Sequence, residues 1–453
     1  MILIDREKEL GWLETAFASK KAEFGIIYGR RRLGKTFLVK KFAEGKRHFY
    51  FLAKQEPIEL EFESFRSKFA KKFNIFTEAR NWEELFADIA TEAKKHREKL
   101  VIAIDEFPYW VIKHRPILSE FQYLWDELLT SENVMLILLG SYVSVMEQEV
   151  LGGKSPLFGR STVRINLQEM PLNSLPGFLP KLSIEDIVLT YGVTDTIPYY
   201  LSFMDGCRSF REVLKRCLVQ SSPLYSDAEL LLSSELREYN TYLNILKAIF
   251  DGATKMNEIS GRSKVDITNM PKYLGTLVRM RLLKKTKPAT ASPKEKNYLY
   301  ELEDNYFKFW LTYIYPYKAE IEESPDSHMG FIMKDYGRYM GSIFEKFCRR
   351  LLPKAVPGFP ASGRWWHKDK EMDIVALNDS GKEILFAECK WQEGVDAEAI
   401  LEELKEKANL VEWHSMDRKE NFAIFVKSFK KRTDGALLFD LKDLEKALKH
   451  TPS

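Results

Sequence analysis

Two groups of residues in this chain have the types and spacing to do chemistry. The first is Gly29-Arg30-Arg31-Arg32-Leu33-Gly34-Lys35-Thr36, which fits G-x-x-x-x-G-K-[ST] at every fixed position. An apolar run, Phe24 to Tyr28, precedes it, and Phe37, Leu38 and Phe42 follow at amphipathic spacing. The loop is therefore expected between a strand and a helix. Its glycines let successive N–H groups point at one place, and with the positive end of the following helix that nest holds a phosphate chain. Lys35 would reach the β- and γ-phosphates, and the Thr36 hydroxyl would sit on Mg²⁺. ATP and Mg²⁺ are the implied cofactors. Downstream, Leu100-Val101-Ile102-Ala103-Ile104 ends in Asp105-Glu106, as a buried parallel strand with a carboxylate pair at its tip would. Asp105 would hold Mg²⁺ and Glu106 would polarise the attacking water. Ser141 follows the apolar run Met135 to Gly140; its hydroxyl either senses the γ-phosphate or caps a helix. Arg160 closes Ser155-Pro156-Leu157-Phe158-Gly159-Arg160. It either completes the nucleotide site, in cis or across the subunits of a homo-oligomer, or is a surface arginine.

The second group lies near the other end. Asp373 interrupts the apolar run Met372 to Leu377, and Glu388-Cys389-Lys390 lies within Ile384 to Trp391. Side chains two apart on a strand share a face, so Glu388 and Lys390 point together and Cys389 points away. An acid and a lysine inside an apolar strand are costly without a partner or a metal. With Asp373 on a neighbouring strand they would make a divalent-metal site; Glu345 lies beside the apolar stripe of Tyr339, Ile343, Phe344, Phe347 and Leu351. Carboxylate oxygens of this kind suit Mg²⁺ or Mn²⁺.

The elements that position these groups follow from periodicity. Residues 1–170 read as an α/β layer with parallel strands near 24–28, 48–53, 100–105, 135–140 and 163–167 and helical crossovers between them. The start, Asp5-Arg6-Glu7-Lys8-Glu9-Leu10, leads into an amphipathic helix. That helix either caps the domain or lays Arg6 near the nucleotide, and spacing favours the cap. Residues 171–235 read as a helical lid broken at Pro176, Pro180 and Pro198. Residues 236–318 read as three helices, a basic loop with Lys284, Lys285, Lys287, Lys294 and Lys296, a strand from Tyr298 to Leu302, and an aromatic helix. Three helices and a hairpin spell a winged helix. As a DNA reader its third helix, starting near Thr268, would enter the major groove and the loop lysines would touch phosphates; otherwise it is a lobe that only packs. The aromatics from Tyr306 to Tyr317 fit a buried helix better than base stacking. Residues 319–330, with Pro325, read as a linker, and 331–453 as a last α/β domain.

Composition sets limits. The chain has 453 residues, 45% hydrophobic and 30% charged, with a formal net charge of +3. No global field argues for nucleic acid, so DNA affinity must rest on local patches. Cys207, Cys217, Cys348 and Cys389 show neither zinc spacing nor a disulfide framework, which points to reduced thiols and a cytoplasmic setting. The apolar runs are too short for a bilayer, so no membrane partner is expected.

The first half resembles the archaeal ATPase family of P-loop proteins, related to the STAND branch of the AAA-like group. The resemblance rests on the Asp5–Leu10 box, Gly29–Thr36, Asp105-Glu106-Phe107, Gly140-Ser141, Leu157–Arg160 and Ile197-Pro198-Tyr199-Tyr200. Ile197 stands where the family often has glycine. The C-terminal pattern, Glu345, Asp373 and Glu388-x-Lys390, is similar to PD-(D/E)XK nucleases, which implies that Asp373 and Glu388 hold the metal and Glu345 completes its shell directly or through water. Together these imply a P-loop ATPase core, a helical lid, a winged helix and a C-terminal restriction-endonuclease-like domain. The implied function is a Mg²⁺-dependent ATPase whose nucleotide state controls DNA binding and cleavage, with Glu106, Arg160 and Lys390 catalytic. The alternative is a non-cleaving switch that binds DNA or protein.

Overall fold

The apolar runs of the first 170 residues become five strands: β1 (Glu23–Tyr28), β2 (His48–Leu52), β3 (Leu100–Asp105), β4 (Val134–Gly140) and β5 (Val163–Asn166). They form one sheet in the order β2-β3-β4-β1-β5, and every pairing is parallel. All residues of β3 and β4 are buried, as they must be when helices cover both faces of a parallel sheet. On one face Leu38 and Phe42 of the P-loop helix (Lys35–Ala43) and Leu13 of the first helix (Glu7–Ala18) pack on Ile27 and Leu139. On the other, Phe65, Phe86 and Trp110 pack on Phe24, Ile26 and Leu136. These last aromatics come from helices Ile58–Phe73, Trp82–Lys94 and Pro108–Lys113. The computed structural model describes residues 4–449 except 293, 296–297 and 415–416; Lys296 of the basic loop is outside the described residues.

The chain divides into two units by its contacts, Met1–Met170 and Pro171–Ser453. The second begins with short helices, among them Ile184–Thr194, Phe210–Leu218 and Pro223–Glu235. Helices Tyr239–Phe250, Met256–Ser263 and Met270–Arg279 follow, and then an antiparallel hairpin of β6 (Leu283–Thr286) and β7 (Leu299–Leu302). The third of these helices starts at Met270 rather than Thr268; the Thr268 N–H and hydroxyl both donate to Asp266 in the turn before it. Tyr306, Phe307, Phe309, Trp310 and Tyr313 are fully buried, in line with the expected core segment. The expected linker is not one. Ile321 is buried in a short helix, Lys318–Glu323, and Pro325 opens a 31-residue helix, Pro325–Ala355. Proline at the first helical turn lacks only an N–H that has no partner there anyway, so it starts a helix instead of breaking one.

The long helix leads to a second sheet of β8 (Ala361–His367), β9 (Lys370–Asn378), β10 (Glu383–Lys390), β12 (Lys419–Val426) and β14 (Leu437–Phe439), in the order β14-β12-β10-β9-β8. β8, β9 and β10 are antiparallel, whereas β12 and β14 run parallel to β10. Helix Ala397–Ala408 provides the crossover, and two short strands, β11 (Val395–Asp396) and β13 (Phe429–Lys431), pair beside it. One hydrophobic core runs through this unit, from Tyr191 and Leu246 through Tyr306 and Phe344 to Leu385 and Phe425. The hairpin loop is also tied to the sheet: Ala289 N–H donates to the Arg364 carbonyl of β8 at 2.8 Å. Among the described residues no helix is long and apolar enough to cross a membrane.

Candidate functional site

The loop after β1, the tip of β3 and the tip of β4 lie at the C-terminal ends of three adjacent strands. Open parallel sheets bind their ligands there. The loop's backbone is what the motif demands. Gly34 has φ of 86° and caps the P-loop helix. A Cβ on Gly29 would lie 2.5 Å from the Leu167 carbonyl oxygen. Lys35 is buried and its Nζ donates to the carbonyls of Gly29 at 2.7 Å and Arg30 at 2.9 Å. The Thr36 hydroxyl donates to Asp105 Oδ2 at 2.5 Å, which joins the two expected Mg²⁺ ligands. The rest of the loop is anchored from its flanks. Arg30 is buried 3.9 Å from Glu169, and Arg31 donates to the Tyr109 hydroxyl at 2.9 Å and lies over the Tyr142 ring. Arg32 takes a left-handed φ of 70°, and Leu33 is buried in the core.

Glu106 follows Asp105 with φ of 56°. Its N–H donates to Asp105 Oδ1 at 2.9 Å, and its carboxylate accepts from the Ser141 hydroxyl at 2.8 Å. Ser141 is thus buried against the acid at the neighbouring strand tip. Arg160 is held away from such a role by its partners. Its guanidinium donates to both oxygens of Asp126, with the shortest contact 2.6 Å, and to the Pro156 carbonyl at 2.7 Å.

One participant went unrecognised in the sequence, and another was set aside in favour of a cap. The Tyr50 hydroxyl of β2 donates to Asp105 Oδ2 at 2.7 Å; burial, and then the Asp105 charge, push its pKa far up, so it stays a donor. Only its register, next to the acid-tipped strand, signals it. Arg6 is buried, and it bonds the Leu33 carbonyl at 3.5 Å and the Gln168 carbonyl at 2.5 Å. The first helix is the expected cap, and Arg6 also braces the phosphate loop.

These residues fit a nucleotide with its metal. The nest, a lysine spending its charge on two loop carbonyls, and a paired hydroxyl and carboxylate form the donor set that a Mg²⁺-triphosphate needs.

In the second unit, β9 and β10 are paired up to Ile374 opposite Ala387. One step further places Asp373 beside Glu388 on the adjacent strand. Asp373 Oδ2 accepts the Cys389 N–H at 2.8 Å. Lys390 Nζ donates to Glu388 Oε1 at 2.6 Å, so these two share a face as expected, and Cys389 points into the core. Asp373 is pushed up to about 7 by burial and by the charges of Glu345 and Glu388. Glu345 is raised too, first by burial and then by Glu371, although Arg364 lies 3.9 Å away. The hydrogen bond and the charge of Glu388 raise Lys390 against the opposing effect of burial. Lys407, which the sequence did not mark, reaches Glu388 Oε2 at 3.6 Å. That oxygen is buried without a hydrogen bond. Glu345, Asp373 and Glu388 are therefore electrostatic neighbours. Among the described residues, however, no three His, Cys, Asp or Glu side chains converge as a ready metal cluster. The expected metal site is present as residues and absent as a preformed cage, because Glu388 is turned towards two lysines.

Comparison with known proteins agrees with the first site. Residues 3–204 match a family described as "ATPase domain predominantly from Archaea", and residues 310–407 match one described as archaeal and bacterial proteins of unknown function. An uncharacterised protein of Methanocaldococcus jannaschii is 34% identical over 452 residues, covering 98% of this chain and 100% of its own. An uncharacterised ATP-binding protein of the same organism is 47% identical over 47 residues, 10% of this chain and 80% of its own. A Walker-type ATPase of Pyrococcus abyssi shares the fold at a TM-score of 0.51, with 21% identity, across 68% of this chain and 96% of that one. A phosphate loop backed by an acid-tipped strand, in a chain akin to that archaeal relative over nearly its whole length, makes this protein an ATP-hydrolysing member of the archaeal ATPase family.

Proposed function

We propose that the nucleotide state of this ATPase controls DNA binding and metal-dependent strand cleavage by its C-terminal sheet. At the nucleotide site Gly29–Thr36 would wrap the phosphates, with Lys35 turning from the loop carbonyls to the phosphate oxygens. Thr36 and Asp105 would hold Mg²⁺. Glu106 would accept the proton of the attacking water on release from Ser141. Arg160 would contribute only by leaving Asp126, within its own chain or towards a second copy.

The observation that carries the cleavage reading is the crowding of two buried carboxylates, Asp373 and Glu388, with half-buried Glu345, Asp373 being pushed up to about 7 by burial and by the other two. Such crowding is relieved by a divalent cation. Asp373, Glu388 and Glu345 would hold it once Glu388 turns from Lys407. A bound Mg²⁺ or Mn²⁺ would offset phosphate charge and lower the pKa of a water. Lys390, beside Glu388, would orient that water or stabilise the developing charge. For DNA contact, the helix Met270–Arg279 and the hairpin lysines remain the candidate surface. Lys285 and Lys294 are exposed, whereas Lys284 is neutralised by Glu301 and Glu303.

The test is a supercoiled-plasmid assay with Mg²⁺, Mn²⁺ or chelator, with and without ATP. Wild type is expected to nick with metal only. Asp373→Ala and Lys390→Ala should lose nicking and keep ATP turnover. Absence of metal-dependent nicking in wild type under every nucleotide condition removes cleavage from the reading. One observation favours the second reading, a non-cleaving switch that binds DNA or protein. Glu388 already lies beside two lysines, so its charge is balanced without metal.

A further inference from the structure

A cavity of about 260 Å³ lies between the β6–β7 hairpin and the long helix; ATP turnover does not use it, and of the acidic centre only Glu345 reaches its wall. Five cations line it, Lys284, Lys308, Lys346, Arg349 and Arg364, against two carboxylates, Glu301 and Glu345. Three of the cations have acids of their own. Lys346 lies 2.7 Å from Asp195, Lys284 3.4 Å from Glu301, and Arg364 2.9 Å from Glu371. The other two have no acid in close contact among the described residues and share the more distant charge of Glu345. Lys308 donates to the Ser342 hydroxyl and lies 5.6 Å from the Tyr339 ring, with no acid within ion-pair distance among the described residues. Arg349, one turn beyond Glu345 on the long helix, has no hydrogen-bond or ion-pair partner among the described residues. Both are half-buried. Cations drawn out of water without an acid lose hydration and recover little. An anion entering the cavity restores that loss through charge-assisted hydrogen bonds, and a guanidinium fork suits phosphate best.

We propose that this cavity binds a phosphate group of a nucleic-acid strand, between Arg349 and Lys308, with the hairpin's Lys284 at its edge. Phe250 and Leu302 give the wall a face for the attached sugar. The position beside Glu345 puts the bound phosphate next to the acidic centre, so the strand end is the source favoured over a free nucleotide. The proposal rests on the nucleic-acid reading and does not require cleavage.

The experiment uses the full chain carrying Lys35→Ala, to silence the phosphate loop, in chelator. Fluorescence anisotropy compares a short single-stranded oligonucleotide with and without a 5′-phosphate. Inorganic phosphate and adenosine monophosphate serve as competitors. The phosphorylated strand is expected to bind roughly tenfold tighter, the size of one charge-assisted contact. Arg349→Gln and Lys308→Met should each remove that preference, and Lys430→Gln, an exposed lysine on another strand, should keep it. Thermal unfolding of each variant checks that the fold is intact. No preference for the phosphate, or a preference unchanged in both cavity variants, overturns the proposal. Adenosine monophosphate competing as well as the phosphorylated strand keeps the cavity as a phosphate site and overturns the strand as its source. A phosphate preference in a protein that never nicks plasmid removes cleavage alone; nicking without the preference removes this site alone.

Discussion

Glu106 occupies a left-handed backbone conformation that costs a non-glycine residue on the order of 1–3 kcal/mol. It persists because both ends of the residue are tied, the N–H to Asp105 and the carboxylate to Ser141. The tie holds the acid beside Ser141 at the neighbouring strand tip, and the role proposed for it is on the reacting water alone. Glu106→Gln should therefore keep ATP affinity and lose turnover by ~10²–10⁴-fold, the usual worth of a positioned base. Lys35→Ala should instead lose affinity, since it removes a charge that would turn to the phosphates. Equilibrium binding and phosphate release, measured on both variants, separate the roles; equal loss of binding in the two would remove the base role from Glu106. Tyr50→Phe takes a donor from buried Asp105 and should destabilise the chain by about 1.5–3 kcal/mol, read from urea unfolding without nucleotide.

At the scale of strands and helices, the acidic centre makes stability depend on pH. The folded-state pKa of Asp373, about 7, lies above its ordinary value of 3.8. Between those values the folded chain keeps a proton that the unfolded chain has lost, so stability falls as pH rises through this window. In chelator the unfolding midpoint of wild type should drop from about pH 4 to about pH 7. Asp373→Asn still accepts the Cys389 N–H and should flatten that slope, gaining on the order of a few kcal/mol near pH 7.5. Mg²⁺ should raise the wild-type midpoint at pH 7.5 more than that of the variant. An equal metal effect on both would place the ion elsewhere. The residues of this centre were legible in the sequence because carboxylates and a lysine stand out inside apolar strands. The phosphate loop was legible because its glycines and Thr36 are set by local backbone geometry. Lys407 was not, since a lysine four residues after Glu403 on a helix looks like a solvent pair. Tyr50 gained its role only from the strand that became its neighbour, and the sequence left Arg6 between a cap and the nucleotide because the loop it braces is far away in the chain.

At the scale of the whole second unit, the expected linker at 319–330 misread the role of a proline, and the consequence is large. Lys346 of the long helix reaches Asp195 at 2.7 Å and Asn305 at 3.0 Å, and Arg350 reaches Asp195 at 2.8 Å. Burial of Asp195 opposes its charge, but the two cations hold its carboxyl below the usual range. Breaking a buried pair of this kind leaves an uncompensated charge and costs about 3–5 kcal/mol. A fragment of residues 331–453 would cut the long helix, strand Lys346 and Arg350, and expose Phe344, Phe347 and Leu351. It should fail to unfold cooperatively, whereas 171–453 should show one sharp transition by circular dichroism. A sharp transition in the short fragment would restore a separable C-terminal domain.

The long helix also fixes the arithmetic of its own sequence. Tyr336 and Tyr339 donate to the carbonyls of Leu189 and Gly192, and Glu345 lies less than two turns further along the same rod. Each residue of an α-helix turns the next by about 100° and advances it by about 1.5 Å. One residue inserted between Tyr339 and Glu345 would swing the carboxylate, Lys346, Arg349 and Arg350 together away from their faces, though no side chain had been changed. The spacing here is thus under tighter constraint than the residues themselves. Among relatives of this protein, substitutions should be found along this stretch where insertions and deletions are not, and a change of length should first appear beyond Ala355, in the turn before β8.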